Sequence, residues 1–227
     1  MRTASAILAT LLAAPCAAWA NAGDGAFELR CESEMRPQFE VRTRHASFKL
    51  NTSISGKVLN TRSSYASVNQ LLLGMTSGTT RTEILVDGPS LSAGSRECVA
   101  PRIVVELSYQ PIDVYVAREF NLYSCPYRVV YAHEMKHVAI YREALPTLQQ
   151  KVEQKLRERF GDRPVYAPAG QGLHKVEDFV DNTLRPYIKA ELAKVEQLQR
   201  QLDTPEESFN LSHACGGEVA NLMGSTF

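Results

Sequence analysis

Two histidines stand four residues apart, with a glutamate directly after the first: His133-Glu134-Met135-Lys136-His137. On a helix, positions four apart stack on one face, so the pair can turn two ring nitrogens toward one point. Imidazole nitrogen suits a divalent ion such as Zn²⁺, and a catalytic site of that kind uses three protein ligands and keeps a fourth position for water. Glu134 lies about a third of a turn round the helix, where a carboxylate can take a proton from that water without binding the ion. Five residues cannot complete the site. A third ligand must come from elsewhere in the chain.

The flanking sequence predicts the elements that position this motif. Ser124 can cap a helix and Pro126 suits its first turn, so a helix is predicted from there to about Leu145. Val129, Val130, Ile140, Tyr141 and Ala144 share the histidine side, which places the pair on the buried stripe. Two core histidines satisfied by local hydrogen bonds would give the same pattern. Pro146 is expected to start another helix through TLQQKVEQKLRERF, and residues 161–172, rich in Gly and Pro, to form a loop. A long helix is predicted from about Leu173, kinked near Pro186, with the charged second half as a solvated face. Before Phe120 the texture is strand-like: Phe39, Val41 and Thr43 alternate with charged residues, as do Ile112, Val114 and Val116. Strands 102–109 and 112–119 are predicted to fold about Gln110-Pro111 as a hairpin, and residues 51–97 to form loops and short strands. The fold class is α+β, an N-terminal β-rich part with a hairpin, packed on a C-terminal helical part that carries the histidine helix.

The stretch VYAHEMKHVA resembles the active-site helix of the zincin metallopeptidases, and its wider context resembles secreted bacterial proteins regarded as zinc-dependent proteases. Lys136 departs from the uncharged residues usual between the glutamate and the second histidine. On the helix it points a quarter turn or more away from the pair. The metzincin branch of that group continues to a glycine and a third histidine. Here Ile140 and Glu143 occupy those places. Ile140 keeps the helix going, which carries Glu143 away from the histidines. The gluzincin branch takes its third ligand from a later helix with E-x-x-x-D, and Glu177-Asp178-Phe179-Val180-Asp181 matches. Glu177 flanks the apolar stripe of Val176, Val180, Leu184 and Tyr187, so Glu177 is the first choice as ligand, with Asp181 behind a histidine ring. Glu143, His174, Asp178 and His213 remain open as alternatives.

The 227 residues suggest one domain or two small ones. Lys plus Arg (25) balances Asp plus Glu (25), which gives no electrostatic case for a nucleic-acid partner. Met1-Arg2, an apolar run from Ile7 to Trp19 and the small-x-small triplet Ala18-Trp19-Ala20 are predicted to be a cleaved secretory signal, residues 1–20. Pro15 before Cys16 argues against a lipid anchor. The mature chain, 21–227, is then one catalytic domain with a β-rich half (21–124) and a helical half (125–227). It is expected to carry no transmembrane segment and to be periplasmic or secreted. Removing Cys16 leaves Cys31, Cys98, Cys125 and Cys215, an even set suited to two disulfides in an exported chain. The predicted hairpin would bring Cys98 near Cys125 and leave Cys31 for Cys215.

The expected activity is hydrolysis of a peptide or protein substrate. The ion activates water, and Glu134 takes the proton as water attacks the carbonyl, then returns it to the leaving amine. Tyr141, His174, Arg185 and Tyr187 are candidates for a second donor to the oxyanion. The strand in IDVYVARE is a candidate edge for an extended peptide. The competing expectation is a disulfide-stapled periplasmic binding or assembly protein whose metal site is structural or vestigial.

Overall fold

Ile103, Val105, Leu107 and Tyr109 are buried while Arg102 and the residues between them are not, the period-two pattern of a strand with one face on a core. The computed structural model describes residues 22–44, 47–62 and 72–224. The predicted signal segment, with Cys16, lies outside the described residues. The architecture is α+β. Strands β1 (Gln38–Arg44), β2 (Phe48–Asn51), β3 (Gly74–Ser77), β4 (Thr80–Asp87), β5 (Ser90–Ala93), β6 (Arg96–Val99), β7 (Arg102–Tyr109) and β8 (Ile112–Val116) fill the first half. Among them sit helices α1 (Ala22–Glu34) and α2 (Gly56–Arg62). The second half holds α3 (Cys125–Phe160), β9 (Val165–Pro168), α4 (Gly172–Phe179), α5 (Arg185–Leu202), α6 (Pro205–His213) and α7 (Glu218–Gly224).

The strands form sheets of order β1-β7-β4, β2-β8-β3 and β5-β6-β9. The predicted hairpin at Gln110-Pro111 does not form: β7 and β8 run on in one direction as centre strands of adjacent sheets, not as partners. Pro111 has no N–H for the ladder, so pairing breaks there without a reversal. Gln38 faces Arg102 and Phe48 faces Ile112 at one constant offset, so β1 and β2 follow the same line in parallel. On the other side Thr80 faces Tyr109 and Ser77 faces Asp113. The β7–β8 line therefore holds one residue more than its antiparallel neighbour at this point. That insertion moves the buried face from odd positions (Ile103 to Tyr109) to even ones (Ile112, Val114, Val116), so both halves address one core.

The core lies between this sheet and α3. Val41, Ile103, Val105, Leu107, Ile112 and Val114 meet Val138, Tyr141, Leu145, Leu148, Val152, Leu156 and Phe160, and α4, α5 and the turn between them add Val176, Ile188 and Leu184. α3 starts as predicted, with Ser124 Oγ accepting from the Tyr127 N–H and Pro126 in the first turn. It does not stop at Leu145 but passes through Pro146 to Phe160. Pro146 is exposed, so its ring and its missing N–H fall on the solvent side of the helix. Just before Pro186, where the sequence predicts a kink, the helix takes a π-helical turn, Val180–Leu184. The loop 161–172 contains β9.

Both disulfides pair differently from the sequence expectation. Cys31 joins Cys98, and Cys125 joins Cys215. Without a hairpin at residue 110 nothing carries Cys98 to Cys125. Cys98 lies on β6 under α1, where Cys31 waits. Nearby, Glu97 is a buried carboxylate that accepts from the Gly172 N–H at the start of α4. Gly172 is required there, because a Cβ would collide with Val99 and Glu97. Hydrogen bonds from the Gly170, Gly172 and Gln171 backbones hold the Glu97 pKa below its ordinary value, against burial. The sign follows: the stabilisation is complete above the unfolded glutamate pKa and is lost as the pH falls from about 4.5 through the lowered folded value. Glu97→Gln should cost about 1–2 kcal/mol at neutral pH and flatten the acid side of the stability curve, read by denaturant unfolding across pH.

Candidate metal centre

His133 and His137 come from consecutive turns of α3, and both rings are buried against the end of α5. There Leu202 ends the helix, Asp203 is its C-cap residue, and Thr204 caps α6 by accepting from the Glu207 N–H, followed by Pro205. The chain turns at this junction and places three acceptors over the histidines: Gln199 and Asp203 at the end of α5, and Glu207 in the first turn of α6.

The convergence is tight. His133 Nε2 and His137 Nε2 lie 3.2 Å apart. Asp203 Oδ1 lies 3.1 Å from the first and 3.0 Å from the second. Ligands about 2.0–2.1 Å from a tetrahedral zinc are separated by about 3.3–3.4 Å, so this triangle needs only small adjustment to hold the ion. His133, His137 and Asp203 are a group that could bind a metal ion.

The other ring nitrogens fix the tautomers. Gln199 donates its amide N–H to the His137 carbonyl at 3.1 Å, which leaves its Oε1 to accept from His137 Nδ1–H at 2.6 Å. Glu207 Oε1 accepts from His133 Nδ1–H at 3.2 Å and from the Lys136 ammonium at 2.8 Å. With both Nδ1 atoms carrying protons, each neutral ring turns the lone pair of Nε2 toward Asp203 Oδ1. Three lone pairs at this separation require a cation among them, either a proton or a metal. Burial pushes His137 down, but the hydrogen bond and charge of Asp203 outweigh it and leave its pKa raised. Burial pushes Asp203 up, but hydrogen bonds from the two histidines bring it well below the carboxylate range. A metal entering here displaces a proton, so its affinity weakens as the pH falls.

Glu134 points from the same helix toward β3. Its Oε2 accepts from the Thr76 hydroxyl at 2.7 Å. Gly74 lies two residues before Thr76 on the same strand, and a Cβ there would collide with Glu134 Oε1. Burial raises the Glu134 pKa, opposed in part by Thr76 and the histidines.

The structure does not bring the other predicted residues to this point. Glu177 is exposed and lies 3.8 Å from His174, which also faces Asp178 at 3.8 Å. Asp181 pairs with Arg185 at 2.9 Å. The π-helical turn and the long α3 leave this part of the chain alongside the second half of α3, turns away from the histidines. Glu143 is exposed on the continuing helix, as Ile140 implies. His213 stacks on Phe209 at 3.9 Å. Of the donor candidates, Tyr141 is buried with its hydroxyl toward Glu196 at 3.5 Å, and Tyr187 packs under Lys155. Lys136, the departure from the zincin pattern, has a use here: it anchors Glu207. The strand of IDVYVARE is β8, which lies inside its sheet between β2 and β3 and offers no edge.

Gln199, Asp203 and Glu207 are absent from the sequence expectation. Their signal was a four-residue spacing across LDTP, where Thr204-Pro205 marks the start of a new helix and leaves Asp203 at the turn. No family, curated protein or solved structure matches the chain.

Proposed function

We propose that this protein is a zinc-dependent hydrolase of peptide bonds that acts outside the cytosol. The observation that carries the proposal is the meeting of His133 Nε2, His137 Nε2 and Asp203 Oδ1 at 3.0–3.2 Å, with both Nδ1 atoms already engaged. Two imidazoles and one carboxylate are a donor set suited to zinc. Zinc bound there would supply Lewis acidity to a substrate carbonyl and to water.

The chain's own residues do the rest. Gln199 and Glu207 orient the rings. Glu134, next to His133, takes the proton of the attacking water and returns it to the leaving amine. The Thr76 hydroxyl holds Oε2 of Glu134, which aims the other oxygen, and Gly74 leaves that oxygen room. β3 is the outer strand of its sheet among the described residues, so an extended peptide adding to it would pass beside Glu134. Export is supported by the two disulfides and by the signal-like N-terminus. Among the described residues no helix is long and apolar enough to cross a membrane.

One observation favours a structural ion in a binding or assembly protein instead: Glu134, His133 and His137 are 4%, 6% and 6% exposed. The zinc-loaded protein should hydrolyse members of a quenched-fluorescent peptide library, lose that activity to a chelator and regain it with zinc. Full zinc occupancy without hydrolysis of any peptide would favour the structural ion.

A further inference from the structure

The two disulfides sit in opposite surroundings. Cys31 and Cys98 are fully buried. Cys125 is exposed and Cys215 half-buried. Cys125 is the first residue of α3, about two turns before His133. Cys215 follows α6 directly after Ala214. The exposed disulfide therefore closes a strap, residues 203–215, that begins at Asp203, carries Glu207 and ends on the histidine helix itself.

No residue of the strap is fully buried. α6 has no buried residue. Glu207 bonds to His133 and Lys136 of α3, and past α6 the half-buried Ala214 packs against the cluster that holds Tyr127 and Val130. A cavity of about 310 Å³ separates the two helices, lined by Val129, Ala132 and Lys136 on one side and Asn210 and Leu211 on the other. Beyond the strap, the fully buried Val219 and the half-buried Leu222 anchor α7 in a small cluster with Leu59, Val116 and Val130. Cys215 itself has φ 59, the left-handed region that costs energy outside glycine, and Gly216 and Gly217 continue at φ 67 and 86. Opening the disulfide lets this corner relax.

We propose that Cys125–Cys215 is a reducible latch: opening it frees α6 from α3 and loosens the hold of Asp203 and Glu207 on the two histidines, while Cys31–Cys98 stays closed. The effect on the metal rests on the zinc reading above. The loosening of α6 does not. The reductant is a dithiol. Its thiolate attacks Sγ of Cys215, the S–S bond breaks, and the electron pair leaves with Cys125. The start of α3 stabilises that thiolate through its N-terminal peptide dipoles. The second thiol of the reductant then displaces Cys215. The products are a cyclic disulfide on the reductant and two protein thiols, which take up the two protons of the dithiol through solvent.

The test titrates the zinc-loaded protein with dithiothreitol, alkylates free thiols, maps them by mass spectrometry, and follows amide hydrogen exchange. Cys125 and Cys215 should react at reductant concentrations about tenfold or more below those that open Cys31–Cys98. After that first step, amides of residues 206–213 should exchange about tenfold faster or more, with the buried turns of α3 unchanged. The double variant Cys125→Ser, Cys215→Ser, free of thiol reductant, should release zinc to a chromophoric chelator about tenfold faster. Simultaneous opening of both disulfides overturns the proposal, as does unchanged exchange in α6 after selective reduction. If the double variant does not fold, the exchange measurement on the native sequence decides. If α6 loosens in a protein that binds no zinc, the latch stands and the zinc reading falls.

Discussion

Asp203→Ala is expected to weaken zinc binding by about 10²–10³-fold, since a four-ligand site binds zinc with roughly 10–16 kcal/mol and one protein ligand accounts for about 3–4 of it. Asp203 is the only carboxylate among the described residues that touches both Nε2 atoms. Its removal leaves two imidazoles that no neighbouring oxygen can bridge, because Glu207 and Gln199 are already committed to the opposite ring nitrogens. The fold should survive: Asp203 is an exposed residue at a helix junction, and Thr204 still caps α6. Competition with a chelator of known affinity measures the change, and circular dichroism checks the fold. Glu177→Gln, made in parallel, should leave zinc affinity unchanged, since Glu177 faces His174 at the surface.

Glu134→Gln is expected to keep the metal and lose peptide hydrolysis by about 10²–10⁴-fold, the usual contribution of a general base. Glutamine can still take the hydrogen bond from the Thr76 hydroxyl, so the local packing and the position of α3 are preserved. What it cannot do is accept a proton. Because burial raises the Glu134 pKa, the neutral amide should also be tolerated there without loss of stability. Zinc content, unfolding midpoint and kcat on one peptide give the three readouts. Equal kcat in the variant would remove Glu134 from the base role.

The residue patterns that could be read ahead of the structure were the local ones. Ser124, Pro126 and the apolar stripe announced α3, and Ile140 announced that the helix would pass Glu143 by. The alternation at Ile112, Val114 and Val116 announced a strand, but not that Pro111 interrupts a straight line instead of turning a corner. Pro146 misled because an exposed helix position tolerates the lost hydrogen bond. The pairing of the cysteines depended on that mistaken hairpin. Asp203 was illegible for a different reason: it stands in a charged stretch with the texture of a solvated face, and only the junction at Thr204-Pro205 folds it back over the histidines. Glu177 carried a matching local pattern, but the length of α3 and the π-helical turn at Val180–Leu184 put it elsewhere. A contact made across more than sixty residues is set by helix packing, which local spacing does not encode.

The central claim is where the ion sits. A crystal of the zinc-soaked protein, measured on both sides of the zinc absorption edge, tests it most directly. One strong anomalous peak is predicted between His133 Nε2, His137 Nε2 and Asp203 Oδ1. A peak at His174, Glu177 and Asp178, or none within bonding distance of both His133 and His137, would contradict it.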